Sequence, residues 1–339
     1  LEADYYQKPP VYNYSNDAWC WRGLFEIGKV LVEVGKKTNN ETLISYGEKL
    51  LHEAENYKKD ILASISKSFI RISKPPFLPV IVGIKEPYTH MTVDRDASYA
   101  NYHLYADLLY SDFLNEELAL AVIKFRENRG GVLLGMSRFM DWLDDWPAVG
   151  YGWAYIKHDM IEKFLLLYYS HMAHHQTRGT FLAYEQVDFK DTKGMGRLIK
   201  ADHCIPATLV VPHLTRYMLV FEENYQDIVW LNKAVPRKWF ENGNKIIVQN
   251  AITRFGKISY SVHSKLSQGV ITAEVKLPHD FNAEVRLRIR APIGYYIRRV
   301  ELNGKEWNNF DVKNEIIIIP KGMHGTMKID VYLDKKTIK

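Results

Sequence analysis

Residues 171–187 read HMAHHQTRGTFLAYEQV. Three histidines, Arg178 and Glu185 stand there among apolar and aromatic residues. Glu185 follows Thr180-Phe181-Leu182-Ala183-Tyr184, a run that would desolvate a carboxyl group and help it hold a proton near neutral pH. Arg178 is close enough in sequence to orient that carboxyl or to bind an acidic ligand group. Paired carboxyls of this kind suit glycosidic bond cleavage, in which one protonates the leaving oxygen and the other acts as base or nucleophile. The plainer alternative is that Glu185 pairs with Arg178 or ends a strand.

A second carboxyl has two sources. Asp94 and Asp96 flank Arg95 in TVDRDAS, and Asp96 is also a natural helix N-cap. Asp141, Asp144 and Asp145 lie in DWLDDWPAVGYGW, where Trp142, Trp146 and Trp153 could form a flat platform for a ring. Neighbouring acids such as Asp144-Asp145 can raise one another's pKa, although a solvated turn explains the same spacing. A third cluster joins Trp19, Trp21 and Arg22, two indoles and a guanidinium able to stack on a sugar and clamp a carboxylate, or else simply core residues.

His171 and His175 are four residues apart and would share one helical face, the spacing of two zinc ligands. No glutamate follows the first histidine as the HExxH pattern requires, so no metal is expected. His174 and His175 are assigned instead to hydroxyl binding or to a polar seam, with Tyr184 beside them. The chain contains no glycine-rich phosphate loop, GxSxG elbow or CxxC pair, and no cofactor is expected.

These residues must be positioned by a chain of 339 residues, 47% hydrophobic and 25% charged, with 22 Tyr, 14 Phe and 8 Trp. That supplies a core for about two domains, and the aromatic load suits sugar rings. The net charge of +5 comes without a basic block, which argues against nucleic acid as a partner. No apolar run of membrane-spanning length occurs, so no membrane partner is expected. No signal peptide is read; a processed N-terminus would suit a secreted or periplasmic protein.

Periodicity predicts helices over about 16–36, 41–71, 97–113, 115–128, 153–173 and 206–223, with an irregular stretch over 131–151. A further helix over 136–145 is the one open addition. Residues 73–97, opened by Pro75-Pro76 and Pro79, form a long connection. After Trp230 the period changes to two. Short strands are expected near 245–250, 257–263, 270–277, 284–290, 296–302, 315–319 and 327–333, with Asn242-Gly243 and Asn303-Gly304 as turns. The alternating Arg286, Arg288 and Arg290 suit an acidic partner or packing on a missing half, with a plain solvated cationic face as the leading expectation. The fold class is therefore α+β and multidomain: helical hairpins over residues 1–232, then an antiparallel β-sandwich over 233–339.

Three segments carry a family resemblance: RGGVLLGMSRF (129–139), QTRGTF with AYEQV inside the opening stretch, and VPRKWFENGNKIIVQNAITRFGKISYSV (235–262). They resemble the six-hairpin, (α/α)6-toroid glycosidase-like proteins of bacteria. The resemblance implies a toroid followed by a β-sandwich, a carbohydrate substrate, and a catalytic base on the connection before the last helix, where Glu185 falls. A full toroid has twelve helices and six are read here, which implies a C-terminal half completed by an N-terminal half or a partner chain.

The leading expectation is a glycoside hydrolase using Glu185 with an aspartate from 94/96 or 144/145. Its expected binding residues are Trp19, Trp21, Arg22, Trp146, His174, His175, Arg178 and Tyr184. The rivals are a polysaccharide lyase, with His or Tyr as base against a uronic acid, and a non-catalytic carbohydrate-binding or scaffold protein.

Overall fold

The computed structural model describes residues 11–93, 95–145, 147–188 and 198–335. The chain divides into two compact units: residues 1–158 with 166–211, and residues 159–165 with 212–339.

The first unit opens with a helical hairpin, α1 (Tyr14–Thr38) and α2 (Glu41–Ser68). Asn39 closes α1 in the left-handed region at φ 52°, and the Asn40 side chain caps α2 by accepting from the Leu43 N–H. The helices approach closely at Gly28 and Gly47, where a Cβ on Gly47 would lie 2.7 Å from the Gly28 carbonyl oxygen. The connection that follows is pinned by isolated bridges, Ile70 to Phe77 and Asn13 to Ile81. α3 (Arg95–Tyr99) continues through a π-helical turn (Ala100–Leu104) into α4 (Tyr105–Tyr110), and α5 (Glu116–Asn128) is capped by Asn115.

Residues 131–151, expected to be irregular, instead form β1 (Val132–Leu133), β2 (Met136–Phe139), β3 (Trp142–Asp144) and the start of α6 (Ala148–Lys157). No helix covers 136–145. The single helix expected over 153–173 is two, α6 and α7 (Ile161–His174), separated where Asp159 takes φ 56°. β4 (Tyr184–Asp188), β5 (Leu198–His203) and α8 (Ile205–Leu219) follow. The five strands form one antiparallel sheet in the order β1-β2-β3-β4-β5, so β4 returns to β3 after both helices α6 and α7.

Beside this sheet lies a buried polar hub. Arg126 on α5, 1% exposed, donates to Asn101, Tyr155 and Ser137, and its guanidinium stacks on the Tyr151 ring. Asn101 donates in turn to the carbonyls of Gly131 and Arg138. The hub ties the π turn, α5, α6 and β2 together and fixes the edge from which β3 extends.

The second unit holds β6 (Val220–Glu222), β7 (Ile228–Leu231), β8 (Lys245–Thr253), β9 (Gly256–Lys265), β10 (Val270–Leu277) and β11 (Glu284–Arg288). β12 (Tyr295–Leu302), β13 (Lys305–Glu306), β14 (Phe310–Asp311), β15 (Ile316–Ile319) and β16 (Gly325–Lys335) complete it. Two sheets result, β13-β12-β16-β10-β9-β8 and β14-β15-β11-β7-β6. Period-two burial is clear in β16, where Met327, Ile329, Val331 and Leu333 are buried. Asn303-Gly304 turns with φ 52° and 74°, as its composition predicts.

Two expectations about this unit are corrected. The second sheet is not wholly antiparallel, because β7 and β11 pair in parallel, and β6 and β7 precede residue 233. Nor is the arginine row a solvated face. Arg288 and Arg290 are 5% and 6% exposed, since each finds a carboxylate, in Asp159 and Glu162 respectively.

Candidate active site

The pairing of β3 with β4 sets the site. Leu143 opposes Val187 and Asp144 opposes Gln186. Side chains directly opposite one another share a face, so the Gln186 amide donates to Asp144 Oδ2 at 2.6 Å. Asp144 is fully buried, and its Oδ1 has no hydrogen-bond partner among the described residues. Burial, reinforced by the Glu185 charge, pushes the Asp144 carboxyl well above the usual carboxylate range, although the Gln186 bond acts the other way. No cation is paired with Asp144 among the described residues. Burial and the neighbouring charge both favour its protonated form.

Glu185 lies between Tyr184 and Gln186 on β4, half-buried, and not on a loop as the sequence suggested. The Asp145 N–H donates to the Glu185 carbonyl oxygen at 3.2 Å, fixing the backbone at the end of β3. The Glu185 carboxylate makes no hydrogen bond or ion pair among the described residues. Arg178 is exposed in the turn before β4 and does not pair with it.

Behind the strands, α7 presents His171 and His175, both buried, with their rings stacked at 5.5 Å. The four-residue spacing does bring them to one face, where they meet Asp145. His171 Nε2 lies 3.2 Å from Asp145 Oδ2, and His175 Nδ1 lies 3.6 Å from the same oxygen. His175 Nδ1 also lies 2.9 Å from the Tyr184 carbonyl oxygen. A carbonyl only accepts, so His175 carries a proton on Nδ1. Burial lowers the His171 pKa to about 4, so that ring is neutral and its Nε2–H is the donor to Asp145. Asp145 thus anchors α7 to the β3–β4 edge. No group of three or more His, Cys, Asp or Glu side chains suited to a metal occurs among the described residues.

The other expected residues fall in different places. Tyr184 stacks on His203 with centroids 3.9 Å apart, and His174 is half-buried at the end of α7. Asp96 lines a separate open cavity of about 520 Å³ with Arg95, Tyr88 and the 83–86 loop. Asp94 and Trp146 lie outside the described residues. Trp21 is 3% exposed, stacked on Phe25 and edge-on to Phe113. That makes it a core residue and removes it from ligand contact. Trp19 is 37% exposed, donates to the Asp107 carbonyl and carries Arg22 over its ring at 5.2 Å. The fold thus gathers Asp144, Glu185 and Gln186 at one strand pair, supported by Asp145, His171 and His175. Gln186 was missed in the sequence; the strand alternation of YEQVD was its only signal.

No family model matches the sequence, and no curated protein matches it. Solved structures match at low identity, glycosidases among them. A GH127 β-L-arabinofuranosidase from Geobacillus stearothermophilus T6 aligns at 13% identity and a TM-score of 0.41, over 86% of this chain and 53% of that one. Another GH127 β-arabinofuranosidase gives 12% and 0.39, over 91% and 51%. The α-L-rhamnosidase of Streptomyces avermitilis, solved with L-rhamnose, gives 8% and 0.44, over 93% and 26%. The chain spans about half the length of the two arabinofuranosidases.

Proposed function

We propose that the chain carries the carboxyl pair of a glycoside hydrolase, with Asp144 as the proton-holding acid and Glu185 as the ionised partner. The observation that carries this reading is the β3–β4 register. It places Gln186 on Asp144, which is buried with no cation paired to it among the described residues, and puts Glu185 next in the strand, near enough for its charge to act on Asp144. Two carboxyls in unlike environments separate in pKa, which is what acid and base roles demand. In the forward step Asp144 gives its proton to the leaving glycosidic oxygen. If Glu185 attacks the anomeric carbon, Asp144 recovers a proton from the water that cleaves the glycosyl-enzyme; if Glu185 instead activates a water, it takes that water's proton and exchange with solvent restores both carboxyls. Gln186 orients Asp144. Asp145 with the two buried histidines holds the strand pair against α7. In this reading the helical part, through about residue 232, belongs to an α/α toroid that further helices complete, in the same chain or a partner, and the substrate is an oligo- or polysaccharide.

The test is turnover on a panel of plant and bacterial oligosaccharides, followed by both reducing sugar and ultraviolet absorbance. Release of sugar that falls ~10²–10⁴-fold in Glu185→Gln and in Asp144→Asn supports the assignment. Growth of absorbance that survives both substitutions would place the chemistry with Tyr184 and His203, as a lyase. Sugar release unchanged in either variant contradicts the pair.

A further inference from the structure

The second unit contains two adjoining cavities that share Arg237, Lys313 and Glu315. One, of about 180 Å³, is lined almost wholly by charge, including Arg288, Arg290, Asp159 and Glu162. The other, of about 600 Å³, is more open and is lined by Tyr295, Tyr296, Ile293 and Val312. Ile293 is 93% exposed.

In the charged cavity four cations meet three carboxylates, and the carboxylates are unequally engaged. Asp159 takes Arg288 with both oxygens, one of them at 2.8 Å from Nη2. Glu315 Oε1 accepts from Arg237 at 2.8 Å and from the Ala291 N–H at 3.0 Å. Those two cations are satisfied. Arg290 is less so: among the described residues its five N–H donors make two bonds, to the Val235 carbonyl at 3.1 Å and to Glu162 at 3.3 Å. The Glu162 side chain is 86% exposed, so this contact is screened and is readily exchanged. Lys313, exposed on the rim, has no ion pair among the described residues. Burial, and then the charges of Arg237 and Arg288, lower the Arg290 pKa, the strain an incoming anion would relieve. Ile161 and Glu162, at the start of α7, line the same wall.

We infer that the joined cavities bind a carboxylated sugar, its acid group held by Arg290 and Lys313 and its ring lying along Tyr295 and Tyr296. A planar guanidinium already buried to its tip is preorganised for a carboxylate. The half-buried Tyr295 and exposed Tyr296 beside it suit the apolar face of a pyranose. Glu162 is then a resident competitor that a ligand carboxylate displaces. This site does not depend on hydrolysis at Asp144 and Glu185, and its binding is expected unchanged in Asp144→Asn.

The test is calorimetric titration of the whole chain with a short oligogalacturonate, a neutral cello-oligosaccharide of equal length, and inorganic phosphate. The oligogalacturonate is expected to bind at least about tenfold more tightly than either control, equivalent to about 1.4 kcal/mol. Glu162→Gln removes the competitor from an exposed position and should tighten binding several-fold. Arg290→Lys should weaken it about tenfold. Tyr296→Ala should weaken the oligogalacturonate but not phosphate. Equal binding of acidic and neutral sugars, or no tightening in Glu162→Gln, overturns the inference. Phosphate binding as tightly as the oligogalacturonate, with Tyr296→Ala silent, overturns the sugar half of it and leaves a bare oxyanion site.

Discussion

The two units bury charge in opposite ways. In the two-sheet unit buried cations are answered by carboxylates: Lys233 by Glu223, Arg288 by Asp159 and Arg290 by Glu162. In the helical unit the buried groups meet neutral partners. Asp144 has an amide, and Arg126 has an amide and two hydroxyls. A buried charge that is paired costs little beyond desolvation and fixes geometry; one that is not paired shifts its pKa instead. Asp144 belongs to the second kind.

The largest expected effect is on the neutral-partner side. Arg126→Ala removes a large buried side chain and strands Asn101, Tyr155 and Ser137. Chemical denaturation should show a loss of about 3–5 kcal/mol; a loss below about 1 kcal/mol would mean the hub does not hold the unit together. Next is Asp159→Ala, which leaves Arg288 buried without its carboxylate. A cost of about 2 kcal/mol is expected, below the figure for a fully buried pair because Asp159 is half exposed. By contrast Glu162→Ala should stay within about 0.5 kcal/mol, as its side chain is solvated. If the two losses are equal, the ranking of the pairs fails.

The pH dependences are smaller and run in the same direction, stability rising with pH, in two separate windows. His171 has a folded pKa of about 4 against an ordinary value of 6.5. The unfolded chain therefore binds the extra proton first, and stability falls as pH drops from 6.5 toward 4. His171→Gln, which can still donate to Asp145, should flatten that limb by on the order of 1–2 kcal/mol. Lys233 is lowered by burial to about 8 from 10.5, so the unfolded chain holds the proton longer as pH rises. Stability of the two-sheet unit should increase by about 1 kcal/mol between about pH 8 and 10. Lys233→Met should remove the increase, and an unchanged slope would show that another group titrates there.

Elements with a strong period were legible in the sequence. α1, α2 and α5 lie within a few residues of where spacing puts them, and the strands after residue 245 follow their alternation. The failures share a cause. β1, β2 and β3 have two to four residues each, too few for any period. The break between α6 and α7 depends on Asp159 adopting φ 56° with no glycine or proline to announce it. Arg288 and Arg290 read as solvated because their carboxylates lie more than a hundred residues earlier in the chain. The site divided the same way. Glu185 and the His171–His175 face could be singled out locally. The partnership of Asp144 with Gln186 could not, because it is a register between strands 42 residues apart.

Protonation of Asp144 at neutral pH is the premise on which the acid role rests, and it can be observed directly. Carbon-13 labelling of the aspartate carboxyls, with Asp144→Asn to assign the signal, would follow the group from about pH 3 to pH 9. The Asp144 resonance is expected to stay at its protonated position through about pH 7 while the exposed aspartates titrate near pH 4. A resonance for Asp144 that titrates together with them would contradict the assignment of Asp144 as the acid.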